Sequence, residues 1–208
     1  MSAKKPSRRR SSSKTGRRPE LNSSPPILII PGRGGSGEAH WQTCLEHALV
    51  NAVRVQQDDW EVPDLRRWAE RVDVWARRCE SPPLAVAHSF GCLALAYAAR
   101  VLKTPIHASF LVAPADPQRF AVADVDVMQP IAHRSDVLAS TNDPWLSEQR
   151  VRQLAAAWGS RLHVLGAVGH VNIDSGFGPW PEMLAWVKAG RVEFDGGRYA
   201  VPGEIICI

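Results

Sequence analysis

The chain has 208 residues, 45% of them hydrophobic, and a formal net charge of +4. That length suits one domain with a sizeable core, and no apolar run approaches the roughly 20 residues that a bilayer-crossing helix needs. The charge is uneven: residues 1–20 carry eight basic side chains and Glu20, a net +7, which leaves a body at −3 and argues against a nucleic-acid-binding surface.

The opening stretch, MSAKKPSRRRSSSKTGRRPELNSSPP, is rich in Ser, Arg, Lys and Pro and almost free of apolar residues. It cannot bury enough surface to offset its ordering entropy, so residues 1–25 are expected to be a disordered basic leader. It has neither the apolar core of a secretory signal nor the amphipathic face of a transit peptide. Cys44, Cys79, Cys92 and Cys207 are scattered, with no C-x-x-C pair and no metal-ligand spacing. Four reduced thiols and a cytoplasmic location are the corresponding expectation.

From Ile27 strands and helices alternate. ILII (27–30) reads as a short buried strand. EAHWQTCLEHALVN (38–51) has helical spacing, with Trp41, Leu45 and Leu49 on one stripe. AVRVQQ (52–57) reads as a strand. DLRRWAERVDVWARRC (64–79) reads as a helix, with Leu65, Trp68, Val72 and Trp75 aligned and Asp64 as its N-cap. PLAVAH (83–88) is a strand, and SFGCLALAYAARVL (89–102) a mostly apolar helix. HASFLVAP (107–114) and RSDVLAS (134–140) are strands. SEQRVRQLAAAW (147–158) is a helix capped by Ser147, RLHVLG (161–166) a strand, and PWPEMLAWVKAG (179–190) a last helix ending at Gly190.

Six short apolar strands alternating with helices predict an α/β domain over residues 26–190: a mostly parallel six-stranded sheet with helices on both faces. The connection 113–133, about twenty residues, is too short for a large cap domain. Residues 191–208 break the pattern, and RVEF-DGG-RYAV within them suggests a β-hairpin extension.

In such a sheet, sites form beyond the carboxyl ends of the strands. The residues found there are PGRGGSG (31–37), Ser89, Asp143 and His170. Ser89 stands in a strand–turn–helix with the small residues Ala87 and Gly91 two positions to either side, which suits an exposed nucleophile. Its bland alternative is a helix N-cap. His170 is the base for its proton, and Asp143 orients the imidazole. Asp136 and Asp174 are rivals for Asp143, and His40, His47, His107, His133 and His163 for His170. The N–H of Phe90, with that of Arg33 or Gly34, is expected to form an oxyanion hole. Trp60, Trp145 and Trp180 follow strands or open a helix near the site and are candidate pocket walls. His88 reads as a structural histidine. PGRGG lacks the lysine and hydroxyl of a phosphate loop.

The segments PGRGGSGEAHW (31–41), QQDDWEVPDLRRW (56–68), AHSFGC (87–92), STNDPW (140–145) and GHVNIDSGFGPWPE (169–182) resemble the alpha/beta-hydrolase superfamily. Within it they resemble the small lidless serine hydrolases of the retinoblastoma-binding-protein-nine, or YdeN-like, type. The resemblance implies an alpha/beta-hydrolase fold with Ser89, Asp143 and His170 as a triad. The superfamily pattern is G-x-S-x-G, and Ala87 departs from it. The L-x-C-x-E motif of the retinoblastoma-binding member is absent, since QTCLE (42–46) lacks its leucine, and that partner is not carried over. The expected activity is a carboxylesterase-like serine hydrolase acting on a small-molecule ester or amide through an acyl-enzyme. No metal or organic cofactor, nucleic acid or membrane is expected to take part. An acyltransferase or peptidase with the same residues, or a non-catalytic interaction module on this scaffold, are the alternatives.

Overall fold

The computed structural model describes residues 24–194 together with Gly196, Tyr199 and Val201. Six strands form one sheet in the order β2-β1-β3-β4-β5-β6: β1 (Ile27–Ile30), β2 (Ala52–Arg54), β3 (Leu84–His88), β4 (Ala108–Val112), β5 (Arg134–Ala139) and β6 (Arg161–Val164). Every pairing is parallel. The helices are α1 (Trp41–Ala48), α2 (Leu65–Arg78), α3 (Phe90–Tyr97), α4 (Asp124–Val127), α5 (Glu148–Trp158) and α6 (Pro181–Ala189).

Because successive strand residues face opposite sides, the apolar runs supply two cores. Leu28, Ile30, Ala85, Ala87 and Leu111 face α2, α3 and α5. Ile27, Ile29, Leu84, Val86 and Phe110 face α1 and α6. This two-sided burial is why the strands read as continuous apolar runs rather than as alternation. The chain leaves β1 toward β2 on one side and returns to β3 on the other, so the loops after β1 and β3 diverge and open a crevice at the sheet's carboxyl edge.

Boundaries differ from the sequence reading where side chains cap or tertiary contacts intervene. The first helix starts at Trp41 rather than 38, because His40 is extended and its Nδ1 accepts from Gln42 N. Asp64 and Ser147 cap α2 and α5 as expected. The segment 89–102 divides into α3 and a π-helical stretch, Ala98–Leu102. The connection 113–133 holds α4 and a 3-10 turn, Pro117–Phe120, neither evident from periodicity. The expected leader lies outside the described residues up to position 23. So does much of the expected C-terminal hairpin, of which residues 191–194 are irregular. Cys79 and Cys92 are free, but Cys44 is disulfide-bonded. The four-thiol expectation fails there, and the argument for a reducing compartment loses that residue. Among the described residues no helix is long and apolar enough to cross a membrane.

One contact fixes how α3 meets the sheet. A Cβ on Gly91 would fall 2.5 Å from the carbonyl oxygens of both Ile30 and Pro31. The clash is with backbone, which cannot rotate away, so Gly91→Ala is expected to destabilise by at least about 1–3 kcal/mol. Ala87 lies inside β3 and its methyl group is core. Ala87→Gly is expected to cost only about 0.5–1 kcal/mol and to leave the turn intact. Denaturant titration of the two variants separates these outcomes, and a Gly91→Ala protein as stable as the parent would contradict the packing argument.

His133 is half-buried, with Nε2 2.9 Å from Ser109 Oγ. Burial lowers its pKa from 6.5 to about 4. Between those values the unfolded chain binds more protons than the folded one. Its contribution is therefore complete above about pH 6.5 and is lost progressively as pH falls toward about 4. Thermal midpoints are expected to drop between about pH 7 and about pH 5. His133→Gln should flatten that slope by up to about 1.4 kcal/mol per pH unit; an unchanged slope would count against His133 as a contributor.

Candidate active site

Ser89 directly follows β3 and is the N-cap residue of α3, yet its hydroxyl makes no capping bond. Its φ of 53° and ψ of −123° are sparsely populated for a residue with a side chain and cost about 1–3 kcal/mol. The turn aims Oγ at His170 Nε2, 3.0 Å away. The backbone is braced by Ser89 N donating to Val112 O at 3.1 Å. The N-cap alternative thus describes the residue's position but not what its hydroxyl does.

His170 follows β6 on a loop pinned to the loop after β5. Thr141 N donates to Gly166 O at 2.8 Å, and Val168 N donates to Ser140 Oγ at 3.0 Å. This brings Asp143 Oδ1 and Oδ2 to 3.0 and 2.9 Å from His170 Nδ1. A carboxylate only accepts, so Nδ1 carries the proton and Nε2 faces the serine hydroxyl as an acceptor. The Asp143 side chain is 4% exposed and that of His170 9%. Asp143 Oδ1 also accepts from Trp145 N at 2.8 Å, which fixes the carboxylate's orientation.

Three of the rivals are engaged elsewhere. Asp136 and His163 bond each other across β5 and β6 at 2.9 Å. Asp174 sits in a 3-10 turn, Ile173–Ser175. His133 bonds Ser109. His40, which caps α1, does reach the site, and its ring centroid is 5.1 Å from that of His88. Burial first, then the charges of Arg54 and His170, lower its pKa to about 3. Since Nδ1 accepts from Gln42 N, neutral His40 carries its proton on Nε2.

The loop after β1 lies close against the serine: a Cβ on Gly32 would come within 2.7 Å of Ser89 Cβ. Among the described residues no hydrogen bond uses the N–H of Phe90 or of Arg33. Gly34 is a correction. Its N–H donates to Trp60 O at 2.9 Å, so it is spent on bracing the loop and cannot serve an oxyanion. Gln42, fully buried, donates from Nε2 to Ile30 O and Val86 O at 3.2 and 3.0 Å and accepts from Ser36 Oγ at 2.7 Å. It ties the end of β1 and the middle of β3 to the loop between β1 and α1. A glutamine on an amphipathic helix reads as solvent-facing, so periodicity conceals this role.

A cleft of about 410 Å³ opens above Ser89, His88 and His170. Of the three expected pocket tryptophans only Trp145 lines it; its ring centroid is 6.1 Å from that of His170. Trp60 turns inward, edge-on to Trp68 at 5.7 Å. Trp180 is core, packed on Trp41, Phe177 and Trp186. Both positions are corrected, for the same reason: large rings gain more from burial than from lining an open cleft. Phe120 and Glu61 line the cleft instead, with Ile173. Phe120 packs on Phe90 with the rings tilted and their centroids 4.9 Å apart; it stands in the irregular connection after β4, where no sequence period points to it. Among the described residues no cluster of side chains could hold a metal ion.

A family model described as serine hydrolase matches residues 27–189. The chain is similar to a YdeN-like hydrolase from Pectobacterium atrosepticum, at 34% identity and a TM-score of 0.74 over 78% of this chain and 89% of that one. It is also similar to the ydeN gene product of B. subtilis, at 20% identity and a TM-score of 0.67 over 79% of this chain and 97% of that one. Est1E from Butyrivibrio proteoclasticus, solved with ferulic acid bound, shares the fold at 14% identity and a TM-score of 0.61 over 83% and 90% of the two chains. No curated protein matches the chain. The parallel sheet without a large cap and the match over nearly the whole ordered body agree: the chain belongs to the serine hydrolase family, among the YdeN-like alpha/beta hydrolases.

Proposed function

We propose that this serine hydrolase cleaves small carboxylic esters, and amides of similar shape, with Ser89 as nucleophile, His170 as general base and Asp143 as the group that orients it. The observation that carries the reading is the Ser89 hydroxyl, which forgoes its helix cap and lies 3.0 Å from His170 Nε2. As Oγ attacks the substrate carbonyl carbon, Nε2 takes its proton, and Asp143 stabilises the imidazolium through Nδ1–H. The carbonyl oxygen becomes an oxyanion facing Phe90 N–H and Arg33 N–H at the N-terminus of α3, where the helix dipole favours negative charge. The tetrahedral adduct collapses, and the alcohol or amine leaves with the proton from Nε2. Water, deprotonated by the same nitrogen, then attacks the acyl-Ser89 ester and releases the carboxylic acid. A cleft of about 410 Å³ suits a compact substrate rather than a long acyl chain.

The test is labelling of the full chain by a fluorophosphonate, followed by turnover of p-nitrophenyl acetate. Ser89→Ala is expected to abolish labelling. Asp143→Asn, which keeps the shape but leaves Nδ1 without an anionic acceptor, should lower kcat on the order of 1,000- to 10,000-fold. A folded parent that neither labels nor turns over ester would overturn the reading and favour a scaffold used for binding.

A further inference from the structure

The backbone of Gly169–Val171 is held by four side chains, three of them from distant parts of the chain. Gly169 N donates to Asn142 Oδ1 at 2.7 Å, and His170 N to Ser175 Oγ at 3.0 Å. The two carbonyls are met by ring nitrogens. His88 Nε2 lies 3.0 Å from His170 O, and Trp41 Nε1 donates to Val171 O at 2.9 Å. A carbonyl only accepts, so His88 holds its proton on Nε2. Burial, then the neighbouring His40 and His170, push the His88 pKa well below the ordinary imidazole value, against a small opposing effect of the bond to His170 O. His88 therefore remains a neutral single donor at working pH. The two donor rings support each other edge to face, with centroids 5.9 Å apart at 89°.

The segment they grip is strained. Gly169 has φ 63° and Val171 φ 50°. A β-branched residue in the left-handed region is a genuine outlier, and such a conformation persists only where its surroundings over-determine it. Relaxing φ on either side of His170 would re-aim its ring. Each donor is one residue away from a feature that needs it: His88 precedes Ser89, and Trp41 begins the helix that His40 caps.

We propose that His88 and Trp41 are positioning residues, two ring N–H donors that lock consecutive carbonyls of the strained His170–Val171 segment and so keep His170 Nε2 within reach of Ser89. The proposal rests on the roles given to Ser89 and His170 above. A misplacement near 1 Å in such a site costs on the order of 100-fold in rate.

The experiment uses the full chain with His88→Leu, His88→Gln and Trp41→Phe. It reads kcat and KM on p-nitrophenyl acetate, the fluorophosphonate labelling rate, and the thermal midpoint. His88→Leu and Trp41→Phe are expected to lower kcat and the labelling rate about 10- to 100-fold, with KM within about twofold, at temperatures well below each variant's midpoint. His88→Gln, whose amide N–H can meet the same carbonyl, should recover part of that loss. If His88→Leu does not fold, Trp41→Phe decides, since it keeps the ring and removes only the donor. A folded Trp41→Phe or His88→Leu that labels and turns over at the parent's rate overturns the proposal while leaving Ser89 as nucleophile. A parent that does not label overturns both.

Discussion

The approach of α3 to the end of β1 is the constraint on which the site depends. Gly91 permits it, because a side chain there would strike two backbone carbonyls at 2.5 Å. With α3 that close, Ser89 is forced into a tight turn at φ 53°, and the loop after β1 comes to rest beside it at Gly32. The same packing points the N-terminal end of α3 at the space above the serine. Ser89, the helix end and the loop are thus placed by one close approach of backbone to backbone. Gln42 completes it by bonding the carbonyl that ends β1 and that of Val86 within β3.

Three imidazoles share the crevice, and two of them hold no charge near neutral pH. His40 is lowered to about 3 and His88 is held well below its ordinary value, both chiefly by burial. In the proposed reaction His170 becomes cationic. A second cation 5.0 Å away, the spacing of the His88 and His170 rings, would oppose that step in so dry a setting. Neutral histidines offer hydrogen-bond donors without that penalty. The single anionic partner, Asp143, sits on the opposite side of the ring from Ser89.

The shape of the cleft follows from what the connections do not contain. Between β4 and β5 the chain forms only a 3-10 turn and the short helix α4, so this connection builds no large cap over the serine. Phe120 and Trp145 flank it, the first braced on Phe90 and the second, 39% exposed, carrying Arg119 over its ring at 5.3 Å. Arg33 and Glu61 pair across 3.6 Å on another rim, both well exposed. That exposure makes the pair weak.

The order of the strands and the longer helices was legible because each strand is a short apolar run and four of the helices show an amphipathic period, while the apolar α3 follows a strand and a small-residue turn; these signals are local, and the short α4 carries none. Ser89, Asp143 and His170 were legible as positions, because parallel-sheet sites gather at the carboxyl ends of strands and each follows one. Their mutual distances were not, since His170 meets Ser89 across 81 residues and Asp143 across 27. Tertiary packing alone decided which N–H groups of the loop after β1 are already engaged, committing that of Gly34 to Trp60 O. It also chose which tryptophan faces the cleft, because all three have the same appetite for burial and only packing distributes the room. Local pattern was enough for the six strands, the five longer helices and the placing of Ser89, Asp143 and His170 at strand ends. The strained turns at Ser89 and Val171, and the distant donors that hold them, belong to the tertiary structure, because strain is sustained by contacts that no local pattern encodes.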